Sequence, residues 1–588
     1  MAKITAGQAL AQVLVNWQVD HLYGITADSI NNTVEGLYHE REHLRYIQVR
    51  HEEVGALAAA ADAKLTQQIG VCFGSAGPGA VHLLNGLYEA KMDHVPVLAI
   101  VGQVASGLIN TNFFQEMNED PIVADVAAFH QQVTTADQIP YVIDQAIRYA
   151  YQHQTVAAVI IPDDLAGQEI DFTLASTPNL TAATMQPKPQ ATADQIQTVV
   201  QALKQAQRPI MWLGRGAQGA QKAAVAVAEK FSLPVLSTVP ATGVFPTNHP
   251  AFMGSRGRLG TKPAFEVSQI SDLILSIGSN YPFARFLPEG VKFIQVNNNG
   301  ADLGKQFSAQ EAILADASAF LEALTQVPDQ IPATAFFQAA KKDKANWDQW
   351  LKTCAQDDQD GLRAEGVIQA VKDYSHKDAI YGLDVGNNTE WSIRQLPFDQ
   401  QQKFAMSPWY GTMGFGLPAG LAAQLSYPER QVWTISGDGG FAMVMPDLIT
   451  EVKYQLPVVN IVLDNQSFGY IQHEKLVNGQ SMYGIPLNQA DWGQIAQNMG
   501  AHGFTVHNLS ELRQAFEQVQ KFQSQNDPLP VVIDAQIQNI DPIDTSFVAV
   551  NEDTLPAEKI AQYRQQYQVD EKQQPSLQTL LKQQSKTN

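Results

Sequence analysis

Asp438 lies in Ser436-Gly437-Asp438-Gly439-Gly440, and Asn465 lies in Leu463-Asp464-Asn465-Gln466-Ser467-Phe468-Gly469. Each follows an apolar run, 432–435 and 458–463, that reads as a buried parallel strand, and 443–454 between them reads as a helix. One strand–helix–strand unit therefore sets a carboxylate and an amide side by side at the carboxyl ends of neighbouring strands, where open parallel sheets bind ligands. Gly437 and Gly439 let a bulky anion approach the backbone, and a helix beginning near Phe441 aims amide groups at it. One carboxylate, one amide oxygen and a diphosphate suit a hard cation such as Mg²⁺. Gly-Asp-Gly alone would be an ordinary polar turn; with the Asn at this spacing the unit reads as a diphosphate–metal site.

Three further segments could do chemistry. Arg50-His51-Glu52-Glu53 joins a strand ending at Val49 to an Ala-rich helix over 54–64. Acidic residues there complement a helix dipole, a plain structural use worth about 0.3–1 kcal/mol. Phe73-Gly74-Ser75-Ala76-Gly77-Pro78-Gly79 is a glycine-rich strand-to-helix turn that brings backbone close to a ligand. Phe113-Phe114-Gln115-Glu116-Met117-Asn118 is too greasy for a bare surface loop, which points to a cleft or an interface.

The elements that must position these residues follow from the pattern. At 588 residues the chain is too long for one core, and 45% apolar with 16% charged residues is ordinary globular composition. A net charge of −21 without any basic run argues against a nucleic-acid surface. Two cysteines, Cys72 and Cys354, make neither a disulfide framework nor a CxxC motif, so a reducing cytoplasm is expected. The N-terminus reads as an amphipathic helix (Leu10, Val13, Leu14, Trp17) rather than a signal peptide, and no apolar window is long enough to span a membrane.

Strands at 22–25, 46–49, 70–73, 96–101 and 157–161 alternate with helices in a first α/β domain over 1–180. A Thr/Pro/Ala/Gln-rich stretch over 174–192 reads as a linker. Strands at 210–213, 234–236, 273–277 and 293–296 give a second domain over 190–335, and a connector with a helix around 336–350 leads to a third over 355–545. A Gln-rich tail over 546–588 closes the chain. The expected fold class is α/β, with three doubly wound parallel-sheet domains.

Together these motifs, with Gly411-Thr412-Met413-Gly414, resemble the thiamine-diphosphate-dependent decarboxylase and oxidase superfamily, and within it the pyruvate oxidases, over about residues 1–565. The resemblance implies a role for each matching residue. Glu52 matches the glutamate that hydrogen-bonds the aminopyrimidine ring and relays acid–base catalysis through the cofactor. Met413 matches the apolar wedge that bends thiamine diphosphate; Val385, Gly437 and Gly439 match its other contacts. Asp438, Asn465 and the Ser467 carbonyl match the Mg²⁺ ligands. Phe114, Gln115, Tyr470 and Glu474 match the substrate side, and the four-residue spacing of Tyr470 and Glu474 would set them on one helix face. Asp28 and Ser29 occupy the turn that holds phosphate and the pyruvate carboxylate.

The middle domain resembles the FAD-binding domain of that superfamily, through Gly214 and Gly216, Ser255, Arg256 and Arg258, Asn280 and Asp316. Two departures stand out. Asp28 takes the place of an expected glycine, and a carboxylate beside an anion site is unfavourable unless protonated or turned away. Asn297-Asn298-Asn299-Gly300 replaces an acidic Asp-x-Asp-Pro segment, leaving uncharged acceptors for a ribose.

The implied reaction converts pyruvate, phosphate and O₂ to acetyl phosphate, CO₂ and H₂O₂, using thiamine diphosphate, Mg²⁺ and FAD. The rivals are a quinone-linked pyruvate dehydrogenase, an acetolactate-synthase-type carboligase and, least favoured, a non-catalytic flavoprotein. The tail, with only Leu577, Leu580 and Leu581 among polar residues, makes a poor membrane anchor. The resemblance implies at least a dimer, and a homotetramer as the expected assembly, with active sites between subunits.

Overall fold

The computed structural model describes residues 3–175, 184–185, 188–257, 259–281, 287–288, 290–399, 401–540, 542, 556–558 and 574–584. Runs such as Val-Leu-Ala-Ile-Val-Gly-Gln and Val-Ala-Ala-Val-Ile-Ile-Pro are buried at every position. A strand apolar on both faces needs helices above and below it, so such runs assemble as parallel sheets.

A short strand β1 (Lys3–Thr5) precedes the first of three six-stranded sheets. That sheet holds β2 (His21–Gly24), β3 (Arg45–Gln48), β4 (Gly70–Gly74), β5 (Val97–Gln103), β6 (Phe129–Gln132) and β7 (Val156–Pro162), in the order β3-β2-β4-β5-β7-β6. Next, β8 (Glu169–Asp171) pairs antiparallel with β1. The middle sheet holds β9 (Pro209–Leu213), β10 (Val235–Ser237), β11 (Phe252–Ser255), β12 (Leu273–Ile277), β13 (Lys292–Asn297) and β14 (Glu311–Leu314), ordered β11-β10-β9-β12-β13-β14. The third holds β15 (Ile380–Leu383), β16 (Lys403–Ala405), β17 (Val432–Gly437), β18 (Val459–Asp464), β19 (His502–Val506) and β20 (Val531–Gln536), ordered β16-β15-β17-β18-β20-β19. All pairs within the three sheets are parallel. The expected fold class, three doubly wound α/β sheets, is what the chain adopts.

The first and third sheets share one topology, in which the chain direction reverses between the first strand and the third. The middle sheet reverses between its first strand, β9, and its fourth, β12, the arrangement of dinucleotide-binding domains. Each reversal opens a crevice at the carboxyl ends of two adjacent strands. The three crevices lie past Gly24 and Gly74, past Leu213 and Ile277, and past Leu383 and Gly437.

The first and third domains share a core. Helix Glu52–Thr66, with Ala56, Ala58, Ala59, Ala60 and Ala61 buried, packs on helix Gly416–Ser426, where Ala419, Ala422 and Ala423 answer it. Small side chains on both let the helices sit close, and a larger one would overpack the seam by about 1–3 kcal/mol. At one end of the seam Asp62 Oδ2 accepts from Tyr23 (2.6 Å) and faces His21 Nε2 (2.8 Å), while Asp62 Oδ1 accepts from Ser426 Oγ (2.6 Å).

The tail is not a free polar extension where it is described. Helix Leu577–Gln584 buries Leu577 and Leu580 beside Phe336, Ala339 and Ala340 of helix Ala335–Cys354. Buried Lys262 ties it down, reaching Asp343 Oδ1 at 2.6 Å and the Pro575 carbonyl at 3.2 Å. Among the described residues no helix is long and apolar enough to cross a membrane.

Burial would lower the His21 pKa, but the carboxylates of Asp62 and Asp20 reverse this and raise it from 6.5 to about 9. The stabilisation from this charged His21 is fully present below pH 6.5 and is lost as pH rises through about 9. At about 1.4 kcal/mol per pKa unit the effect is on the order of 3 kcal/mol. We therefore expect the stability gap between the wild type and His21→Gln, measured by urea unfolding, to narrow steadily from pH 6.5 to 9.5. A gap independent of pH would contradict this account.

Candidate active site

The third-domain crevice carries the metal-type constellation. Gly437 ends β17 and caps helix Asp438–Val444, so Asp438 is the first helical residue. The helix thus starts three residues before Phe441, and the single helix expected over 443–454 is broken. Pro446 forces a short 3₁₀ turn, Met445–Asp447, before helix Leu448–Tyr454. The β17–β18 register pairs Gly437 with Leu463, which brings Asp438 beside Asp464 and one residue from Asn465.

Burial, then the Asp464 charge, pushes the Asp438 carboxyl up to about 7. Asp464 is itself fixed, accepting from Gln466 N at 3.1 Å and Gln536 Nε2 at 2.8 Å. Two adjoining carboxylates with an amide beside them at the end of a buried strand are a donor set that a hard divalent cation would neutralise. Space for a ligand is present as well. A Cβ on Gly411 would meet nothing within 4 Å, and one on Gly437 only Asn388 Oδ1 at 4.0 Å. Asp438, Asn465 and Ser467 therefore fit Mg²⁺, and the open backbone between them fits a diphosphate. The Ser467 carbonyl already accepts from Gly469 N at 2.8 Å, which leaves its second lone pair.

A cleft of about 1690 Å³ extends from this crevice into that of the middle domain. Val385, Met413, Gly437, Asp438, Gly439, Asn465, Ser467 and Tyr470 line its third-domain wall. Gly216, Arg256, Asn280 and Asp316 line the middle-domain wall, with Asn297 and Asn299. The Gly216 turn interlocks with Gly278, since a Cβ on Gly216 would lie 2.9 Å from Gly278 Cα. The turns at the β9–β12 reversal thus form a floor of bare backbone, as a dinucleotide requires.

Not every expected contact reaches the cleft. Gly214 is packed under Gly278, and Ser255 faces Ser237 and Thr242 behind the wall. Arg258 lies outside the described residues. Glu474 shares helix Gly469–Val477 with Tyr470 but is not on the cleft wall.

The first-domain residues form a separate group. Glu52 opens helix Glu52–Thr66, two residues earlier than the sequence pattern implied, because His51 caps it and accepts from Glu53 N at 3.3 Å. The Glu52 side chain is buried, lies 3.0 Å from His82 Nδ1 and presses on Gly79, where a Cβ would fall 3.2 Å from Oε1. Ser29 Oγ accepts from Ala76 N at 2.8 Å across the first crevice. The Asp28 carboxylate folds back to accept from Ser29 N at 2.9 Å, so the chain occupies one of its oxygens itself. Phe114 is 72% exposed, and Gln115 holds a left-handed φ of 61° in a loop braced by Glu116, which accepts from Asn110 N and Asn112 N. None of Glu52, Asp28, Ser29, Phe114 or Gln115 lies on the wall of the large cleft. Within one chain the candidate residues therefore form two separate groups.

The sequence reading missed Asp384. It follows β15 in Leu383-Asp384-Val385-Gly386, the same strand–Asp–x–Gly pattern as Gly437-Asp438-Gly439-Gly440 that could have revealed it, and is fully buried beneath the cleft. Another omission is Glu119, buried at the foot of the Gln115 loop, where burial raises its carboxyl to about 7 although Gly77 N donates to it at 3.3 Å.

Three family models match, in the order of the sheets. The N-terminal TPP-binding domain of thiamine pyrophosphate enzymes covers residues 4–122, the central domain 196–324 and the C-terminal TPP-binding domain 384–535. The chain is 40% identical over 588 residues to a pyruvate oxidase of Lactiplantibacillus plantarum, covering 99% of this chain and 96% of that protein. It is 39% identical over 544 residues to a thiamine pyrophosphate-containing protein of Bacillus subtilis, covering 92% and 93%. It is 29% identical over 555 residues to the acetolactate synthase large subunit of Corynebacterium glutamicum, covering 90% and 86%. With three family models matched in the order of the sheets and near-full-length identity of this order, the chain belongs to the thiamine pyrophosphate enzyme family.

Proposed function

We propose that the protein is a phosphate-dependent pyruvate oxidase, converting pyruvate, phosphate and O₂ to acetyl phosphate, CO₂ and H₂O₂. The observation that carries this reading is the continuity of the cleft. It joins the Asp438–Asn465 crevice to a dinucleotide-type crevice lined by Gly216, Arg256 and Asn280. A redox partner for the decarboxylation chemistry would sit there, and similarity to a protein named pyruvate oxidase supports the substrate.

When bound, thiamine diphosphate supplies an electron sink for loss of CO₂ from a 2-oxo acid, and FAD supplies a two-electron acceptor. The chain's own residues do the rest. Asp438, Asn465 and the Ser467 carbonyl would hold Mg²⁺. Arg256 borders the middle-domain wall, but its guanidinium is buried, donating to Ser268 Oγ at 2.8 Å and lying over the Phe265 ring, so the bare backbone of the Gly216 turn is what this wall offers a pyrophosphate. Met413 and Val385 give the cleft an apolar face that holds the cofactor's rings and excludes water. Glu52, buried against Gly79, would hold a proton at its carboxylate for the aminopyrimidine. The Asp28 carboxylate, folded onto Ser29 N, leaves the Ser29 turn available to an anionic substrate only at a reduced affinity.

Because Glu52, Phe114 and Gln115 are off the cleft, we place them in the active site of a second copy. The half-site then reads as one side of a homodimer within a homotetramer. The adjoining exposed Phe113 and Phe114 would be covered by such a partner.

An anaerobic visible spectrum of the protein with thiamine diphosphate and Mg²⁺ tests the reaction. Pyruvate should bleach the flavin band, and O₂ should restore it faster with phosphate present. A band that stays oxidised while pyruvate is consumed would instead favour a carboligase like the acetolactate synthase relative. Glu52→Gln should lower turnover by roughly 10²–10⁴-fold with folding intact; near-wild-type turnover would remove its assigned role. Asp438→Ala should weaken Mg²⁺ and thiamine diphosphate binding by calorimetry, and unchanged affinity would refute the metal site.

A further inference from the structure

The side chain of Asp384 is fully buried where four backbone segments of the candidate cofactor crevice meet. Its Oδ1 gathers three main-chain donors: Val385 N at 2.7 Å, Gly414 N at 2.8 Å and Phe415 N at 3.3 Å. Gly414 holds a left-handed φ of 82°, which turns two consecutive N–H groups toward one oxygen. The other oxygen, Oδ2, has no hydrogen-bond partner and faces the start of the Asp438 helix. There a Cβ on Gly440 would fall 2.8 Å away. Asp384 is in turn held from below. Its own N–H donates to the Ile435 carbonyl at 3.0 Å, and its carbonyl accepts from Asn388 Nδ2 at 2.8 Å and from the Thr389 hydroxyl.

Among the described residues no cationic side chain pairs with this carboxylate. A buried carboxyl met by backbone amides, with the Ser436 hydroxyl beside it, is expensive, and burial pushes its pKa up. What the carboxylate supplies is geometry. One acceptor oxygen binds the segment carrying Val385 to the segment carrying Met413, and the far oxygen abuts the helix that presents Asp438.

We propose that Asp384 is the positioning residue of the cofactor crevice, clamping the Met413–Phe415 turn to Val385 so that Met413 keeps one height above the Asp438 helix. The clamp rests on the functional reading given above for Met413, but it exists in the cofactor-free chain and can be read there.

The test is Asp384→Asn, followed by hydrogen exchange of the cofactor-free protein and by a double-mutant cycle with Met413→Ala. Exchange should speed up in peptides spanning 384–385 and 413–415 while helices Glu52–Thr66 and Gly416–Ser426 stay as protected as in the wild type. The kcat should fall by about 10- to 100-fold, as expected for a misplaced contact group, with the KM for pyruvate little changed. In the Met413→Ala background the same replacement should lower kcat by less than about 3-fold, because coupled residues are not additive. Unchanged exchange at 413–415, or fully multiplicative losses, would overturn the proposal. If Asp384→Asn does not fold, wild-type exchange decides: Gly414 and Phe415 amides must be protected together with Val385, and free exchange there would refute the clamp. A failed oxidase reading would leave these exchange results intact, so the two failures are distinguishable.

Discussion

A parallel sheet covered by helices on both faces offers a ligand one kind of opening, at the carboxyl ends of two strands whose connections leave in opposite directions. That constraint organises this molecule. The chain reverses direction once in each of its three sheets, and residues with chemistry cluster at each reversal. Ser29 and Ala76 meet at the first, Gly216 and Gly278 at the second, and Asp384, Val385 and Asp438 at the third. Equal topology in the outer sheets flanks a dinucleotide-type topology between them.

Electrostatics then separates the crevices. The third concentrates carboxyls at the ends of buried strands. Burial, then the Asp464 charge, raises both Asp438 and Asp534 to about 7. Such groups are strained without a cation and suited to one. The middle crevice supplies bare backbone at Gly216 and Gly278 instead. The seam between the outer domains is rich in alanine and leucine, with polar contacts along it: the Asp62–His21–Ser426 knot, Ser407 on Glu89, and Asn85 on Thr412. The seam carries little information about chemistry but fixes the two outer sheets against each other.

Much of this was legible in the sequence because the strands that end on site residues are long and rich in Val and Ile. The turn after β17 and the turn after β18 could be read without coordinates. Edge strands could not: Phe-His-Gln-Gln in β6 and Lys-Phe-Ala in β16 have one solvated side or too few residues for a pattern. Asp384 was missed because β15, Ile-Tyr-Gly-Leu, is short and interrupted by glycine. The break in the helix after Asp438 was announced by Pro446, yet the apolar spacing around it suggested continuity. The tail looked inert because glutamine dominates it, although Leu577, Leu580 and Leu581 stand at helical spacing and dock on the middle domain. Residue spacing alone does not show that the site candidates fall into two groups; that expectation comes from the resemblance, which implies active sites between subunits.

The central claim is that Glu52 of one copy serves the Asp438–Asn465 crevice of another. Glu52→Gln and Asp438→Ala, each nearly inactive alone, should be co-expressed with distinct tags and the mixed assembly isolated. Every mixed pair would then contain one intact site beside one doubly altered site. The isolated mixed pair should recover about one half of wild-type turnover, and an unseparated equal mixture about one quarter, as random pairing in a two-fold assembly requires. Turnover no higher than the sum of the two inactive parents would contradict the account and place both halves of the site in a single chain.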